Sequence, residues 1–194
     1  MEYHRPVKQG SQRRYSLDEY FAVEETSRVK NEYYDGQIFA LAGASLAHNR
    51  IAANLLSFVR RALANRGCEA FGGDLRVQAP GDLFTYPDMS VVCGEPLLLQ
   101  GSPDTLTNSI VLVEVLSDAT REYDRGEKSA LYKGIPTLRE YMLVEQDTPL
   151  VDTFRLGPGG AWQPRSYDRL DAKVVLDSVG LTIPLGEIYR LVFT

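Results

Sequence analysis

Two acidic residues stand where acids are rare. The stretch TYPDMSVVCGE puts Asp88 directly after a proline and directly before an apolar run, and SIVLVEVLSDAT puts Glu114 in the middle of another. A carboxylate buried without a partner is costly, and of two buried together one takes up a proton. A divalent cation between them removes that cost. Carboxylate oxygens, a backbone carbonyl and several waters suit Mg2+, and such a centre polarises a phosphodiester and lowers the pKa of a water. Spacing alone leaves a second reading equally open, in which these are strand-end acids, half exposed and satisfied by hydrogen bonds.

For the two acids to meet, their strands must be neighbours. Ser45–Arg66 carries Ile51, Leu55, Phe58, Val59, Ala62 and Leu63 at helical spacing, with Gly67 just beyond its end. Strands are expected over Cys68–Ala79, Asp88–Cys93 and Ile110–Leu116. A second helix follows from Arg121 to Lys133, ended by Gly134 and Pro136, and then a strand over Glu140–Glu145. Helix, three strands, helix and strand in that order predict a mixed sheet covered by helices, and IVLVEVL fits a strand buried on both faces.

Flanking elements surround this core of about residues 45–145. SLDE at Ser16 is a capping box that opens a short helix. Asp35-Gly36 between β-prone runs marks a hairpin. GPGG joins a further pair of strands, AKVVLDS reads as a last strand, and residues 1–14 read as a loose arm. With 194 residues and 44% apolar composition, the chain can bury a core as one domain over residues 1–194.

The remaining composition excludes several function classes. Cys68 and Cys93 have no CxxC spacing and no paired histidines beside them, so a zinc site is not expected; both read as buried, reduced thiols. No apolar run approaches the roughly 20 residues of a membrane span, and the polar opening MEYHRPVKQGSQRRYS is not a secretory signal. A cytoplasmic protein is expected. The net charge of −5 argues against tight non-specific nucleic-acid binding by the surface as a whole, while leaving room for a local basic patch. Tyr33, Tyr34 and Trp162 read as core or interface residues.

Longer motifs carry a resemblance. NEYYDGQI, AHNRIAANL, PDMSVV and VEVLSDATREYDRGEKSALYKGIPTLREYMLVE, spread over about residues 16–155, resemble the Uma-two family of endonucleases within the PD-(D/E)XK restriction-endonuclease-like superfamily. The run EVLSDAT…YDRGEK…Y…GIP…EY is its specific part. The resemblance implies an α/β (α+β) fold, with a restriction-endonuclease-like mixed sheet flanked by helices and extra β-hairpins at both ends. It implies hydrolysis of phosphodiester bonds in DNA with Mg2+ or Mn2+, and it leans toward a homodimer. Asp88 and Glu114, with the Val115 carbonyl, would hold the metal. Glu32 and His48 match family positions and would support the site.

The sequence departs from the superfamily at one position. A lysine is expected two residues after the glutamate, and Leu116 stands there. The next helix offers a replacement, because Asp124 and Lys128 share one face, Tyr132 continues it, and the family carries the same D…K…Y spacing. Lys128 joins Asp88 and Glu114 as the expected catalytic set, with Asp124 supporting it. Read without the resemblance, Asp124 and Lys128 are an ordinary surface pair. With Lys128 in the site, Lys128→Met keeps the aliphatic stem and removes the charge, so stability should change little. Leu116 and the acidic pI favour a rival reading, a catalytically inactive nuclease-fold domain used for binding or assembly.

Overall fold

Ser16 opens the first helix as its sequence suggests. In the computed structural model, which describes residues 13–193, its side chain accepts from the Glu19 N–H while the Glu19 carboxylate accepts from the Ser16 N–H. The helix, α1 (Leu17–Thr26), buries Tyr20 against Tyr33 and Phe84. Strands β1 (Asn31–Tyr34) and β2 (Gln37–Ala40) form the expected hairpin, with Asp35 and Gly36 at φ +47° and +76°. The arm expected over residues 1–14 lies, apart from Arg13 and Arg14, outside the described residues.

Helix α2 (Leu46–Leu63) is capped by Ser45, which accepts from the His48 N–H at 3.0 Å, and it buries Ile51, Leu55, Val59 and Leu63. The segment expected as one strand over Cys68–Ala79 is two, β3 (Cys68–Gly72) and β4 (Arg76–Ala79). The turn at Gly73 and Asp74 sends them into different sheets. There follow β5 (Leu83–Thr85), β6 (Met89–Cys93), β7 (Leu98–Leu99), β8 (Ser102–Leu106) and β9 (Val111–Leu116). The second expected helix breaks at Gly126 into α3 (Arg121–Arg125) and α4 (Glu127–Tyr132). Then come β10 (Glu140–Glu145), β11 (Val151–Leu156), β12 (Trp162–Tyr167), β13 (Lys173–Leu176), β14 (Leu181–Pro184) and α5 (Leu185–Ile188).

Two mixed six-stranded sheets result, one ordered β12-β11-β10-β9-β6-β3 and the other β2-β1-β5-β4-β8-β7, with β13 and β14 as a separate pair. The first holds the predicted core. Its β9 and β10 run parallel with every residue buried. Their connection through α3 and α4 is the crossover that a parallel pair requires. Alternation along β9 sorts its side chains. Val111, Val113 and Val115 join a core layer with Ile51, Leu55 and Val59 of α2. Leu112 and Leu116 join a second layer with Tyr132 and Tyr141, and the period of two puts Glu114 on that second face.

The two cysteines correct one expectation. They are not reduced thiols: the antiparallel register of β3 and β6 sets Cys68 directly across from Cys93, and the two form a disulfide. Among the described residues, no helix is long and apolar enough to cross a membrane.

Candidate active site

Asp88 enters the site from the end of β6. The β6–β9 register pairs Met89 with Val113 and Ser90 with Leu112; one further step along it sets Asp88 across from Glu114. The Val115 N–H donates to Asp88 Oδ2 at 2.7 Å. His48, in the first turn of α2, brings its Nε2 to 3.2 Å from that same oxygen. Burial works against charge on His48, but the hydrogen bond and the charge of Asp88, with a bond to the Val115 backbone, raise its pKa above the ordinary value.

Glu114 is 5% exposed. Its Oε1 accepts from the Tyr132 hydroxyl at 2.7 Å and lies 2.9 Å from Lys128 Nζ. Lys128 reaches it from α4. The same ammonium lies 2.9 Å from Glu32 Oε1 and 3.4 Å from Asp124 Oδ1, so its three N–H groups face three carboxylates. Glu32 comes from β1 in the other sheet and also accepts from the Thr85 hydroxyl on β5. The Tyr141 hydroxyl donates to the backbone carbonyl of Asp124 at 3.1 Å and ties α3 down onto β10. Between Asp124 and Lys128 the chain needs a glycine, because a Cβ on Gly126 would meet the Glu122 carbonyl oxygen at 2.9 Å.

The geometry replaces the surface-pair reading of Lys128 with a buried one, since its side chain is 6% exposed and that of Asp124 4%. Burial pushes the Glu114 carboxyl well above the usual carboxylate range; Asp124 and Asp88 add to the rise and Lys128 opposes it. Asp124 is raised in the same way, burial again leading. Burial by itself would lower Lys128, yet the charges of Glu114, Glu32 and Asp124 outweigh it and hold the ammonium protonated. Three carboxyl groups therefore gather on the Lys128 ammonium, and a fourth, that of Asp88, meets the His48 imidazole.

A cation joining the acids would offset the cost of burying them. Among the described bonds, the partners of Glu114 meet Oε1 and those of Asp88 meet Oδ2. Glu114 Oε2 and Asp88 Oδ1 are left as two hard oxygen donors. No group of three or more His, Cys, Asp or Glu residues forms a metal cage among the described residues, so an ion here would complete its shell with waters or substrate oxygens, as Mg2+ does.

The expected residues thus fall into two clusters joined through β9. Glu32, Glu114, Asp124 and Lys128 share one buried network, while Asp88 and His48 are bound to each other. Val115, expected to offer a carbonyl, also donates its N–H to Asp88. Leu116 is fully buried in the apolar layer beside Tyr132 and Tyr141. Sequence reasoning missed Thr85 and the role of Tyr132. Tyr132 carried a signal in its spacing of four from Lys128; Thr85, on a three-residue strand, carried none.

A family model, two relatives and a solved structure match this chain. The sequence model of the family described as "Uma2: Putative restriction endonuclease" matches residues 17–186. The "Uncharacterized protein slr1290" of Synechocystis is 36% identical over 176 residues, 90% of this chain and 91% of the relative. The "Uncharacterized protein sll1609" of the same organism is 36% identical over 129 residues, 66% of this chain and 73% of the relative. Among solved structures, one from Anabaena variabilis, described as "a putative nuclease belonging to DUF820", superposes with a TM-score of 0.74 at 20% identity. The match covers 91% of this chain and 98% of that one, and it shows a shared fold.

Proposed function

Because this chain belongs to the Uma2 family, we propose that it is a divalent-metal-dependent endonuclease that hydrolyses phosphodiester bonds in DNA. The observation that carries the reading is the 2.9 Å approach of Lys128 Nζ to Glu114 Oε1. It returns a cation to the acid pair from α4, although Leu116 occupies the usual lysine position.

A bound Mg2+ or Mn2+ supplies a positive centre that polarises the phosphodiester and acidifies water. Asp88 and Glu114 would hold it through Oδ1 and Oε2. His48 and the Val115 N–H fix Asp88 through its other oxygen, and Tyr132 with Lys128 fixes Glu114. Of the Lys128 ion pairs, the one to Asp124 is the longest at 3.4 Å. That N–H is the one to turn toward the attacking water or a phosphoryl oxygen as charge develops there. Glu32 and Thr85 keep the ammonium seated. A two-fold homodimer would present two such sites to two strands, and the chain would work in the cytoplasm, where its disulfide is open to reduction.

The test is nicking of supercoiled DNA by the parent and by Glu114→Ala, with Mg2+ or Mn2+ and with chelator. Metal-dependent nicking by the parent alone is expected. A well-folded parent that nicks nothing with any divalent metal would replace this reading with that of a non-catalytic binding domain, which the buried Leu116 favours.

A further inference from the structure

The distribution of arginine over the surface is uneven. The chain contains 26 acidic residues, yet there is no Asp or Glu from Gly36 to Cys68, and that stretch carries Arg50, Arg60, Arg61 and Arg66. It includes all of α2, the helix whose first turn delivers His48 to Asp88. Elsewhere most arginines are neutralised, while Arg28, Arg66 and Arg139 take part in no ion pair among the described residues. Arg76, Arg121, Arg125, Arg155, Arg165 and Arg169 are each within 4 Å of a carboxylate. Arg50, Arg60, Arg61 and Arg190 take part in none of the ion pairs among the described residues.

Their placement is regular. Arg50 and Arg61 are eleven residues apart, three turns of helix, so they lie on the same side of α2, opposite Leu55 and Val59; Arg60 flanks them. Ala53, Ser57 and Ala64 are exposed between and beyond them and let a large surface approach closely. Asn54 donates to the backbone carbonyls of Ile188 and Arg190 at 3.1 and 2.9 Å, which sets exposed Arg190 beside the middle of the same face. The neighbouring acids, Glu69 across a groove from Arg60 and Glu187 on α5, do not pair with these arginines. From Arg50 to Arg61 the helix rises about 16 Å, close to five steps of one strand at roughly 3.4 Å each along the duplex axis.

From these features we infer that the exposed face of α2, with Arg50, Arg60 and Arg61 along it and Arg190 beside it, is a track for the phosphate backbone of duplex DNA, set apart from the acid pair by the thickness of α2 and its sheet. The inference rests on the reading of the site as a DNA nuclease. It explains how a chain of net charge −5 can hold a polyanion: the repulsion of the whole is offset along one line on the side of α2 turned away from the sheet. Nothing in the track reads base edges, so it positions the duplex without selecting a sequence.

The test is binding of a fluorescent duplex with chelator present, by anisotropy across a salt series. For the parent, log K should fall linearly with log salt. Replacing Arg50, Arg60 and Arg61 together by Gln should flatten that slope by about 2–3, near 0.9 for each phosphate no longer neutralised. The Lys versions should restore it. Arg155→Gln with Arg165→Gln, removing two paired arginines elsewhere, should leave the slope as in the parent. Nicking is scored separately. If the parent nicks DNA and the triple Gln variant keeps the parental slope, the track is wrong while the nuclease reading stands. If the slope flattens but no protein nicks, the track stands and the nuclease reading fails. A parent that shows no duplex binding even at low salt overturns the track, and binding of acidic protein copies alone would make the face an interface between subunits.

Discussion

The Lys128 ammonium lies 2.9 Å from the Glu32 carboxylate, across 96 positions of sequence. One residue belongs to the helix after the Glu114 strand, the other to a hairpin in the second sheet. Their pairing makes the lysine a structural keystone as well as a candidate catalytic group, and it reverses the expectation that Lys128→Met would be tolerated.

Lys128→Met keeps the aliphatic stem but leaves Glu32, Glu114 and Asp124 facing one another with no cation between them. Breaking a buried ion pair by removing one partner costs about 3–5 kcal/mol. The variant should therefore unfold at clearly lower urea than the parent at neutral pH, and should recover part of the loss near pH 5, where protonation relieves the acids. Equal midpoints for the two proteins at neutral pH would show that the network carries no stability.

The pH profile of the parent follows from the same groups. Burial raises Glu114 above 4.5 and Asp124 above 3.8. From those values up to the folded-state pKa values the native chain binds more protons than the unfolded one, so stability falls as pH rises. His48, also raised, adds in the same direction as pH climbs through its pKa, and Lys128 holds its contribution until pH exceeds the ordinary lysine value of 10.5. The melting temperature, measured without metal, should decline from mildly acidic to alkaline pH, with a shallower decline in Glu114→Gln. Mg2+ at about one hundred times its dissociation constant should return roughly 2.7 kcal/mol at neutral pH, and Asp88→Asn should abolish that gain.

Tyr132→Phe removes only the hydroxyl that holds Glu114 at 2.7 Å. A hydrogen bond to a charged group contributes about 1.5–3 kcal/mol. The loss in urea denaturation should thus be smaller than for Lys128→Met, because the ring still fills the layer beside Tyr141. The apparent Mg2+ affinity, followed by calorimetry, should weaken as Glu114 loses its fixed orientation. Unchanged metal affinity would remove Tyr132 from the positioning of the site.

What the sequence disclosed and what it hid have separable physical causes. Glu114 stood out because an acid inside IVLVEVL breaks an otherwise apolar strand, and the strands of Asp88 and Glu114 were expected in one sheet from the order of elements. The second sheet was hidden. Gly73 and Asp74 turn what reads as one continuous strand, and β5 and β8 are too short or too polar to show a period. The disulfide was hidden too, since only the β3–β6 register brings Cys68 to Cys93. For Lys128, a spacing of four fixed its helix face but could not reveal that Glu32 would arrive from another sheet and bury it.

Leu116 makes the two positions exclusive. It is fully buried in the same apolar layer as Tyr132, so a lysine placed there would add a second ammonium to a packed site already served by Lys128. Removing Lys128 would leave the acids bare. Transferring the cation from the helix to the strand therefore takes two changes made together, because each single change alone leaves a charge without its counterpart.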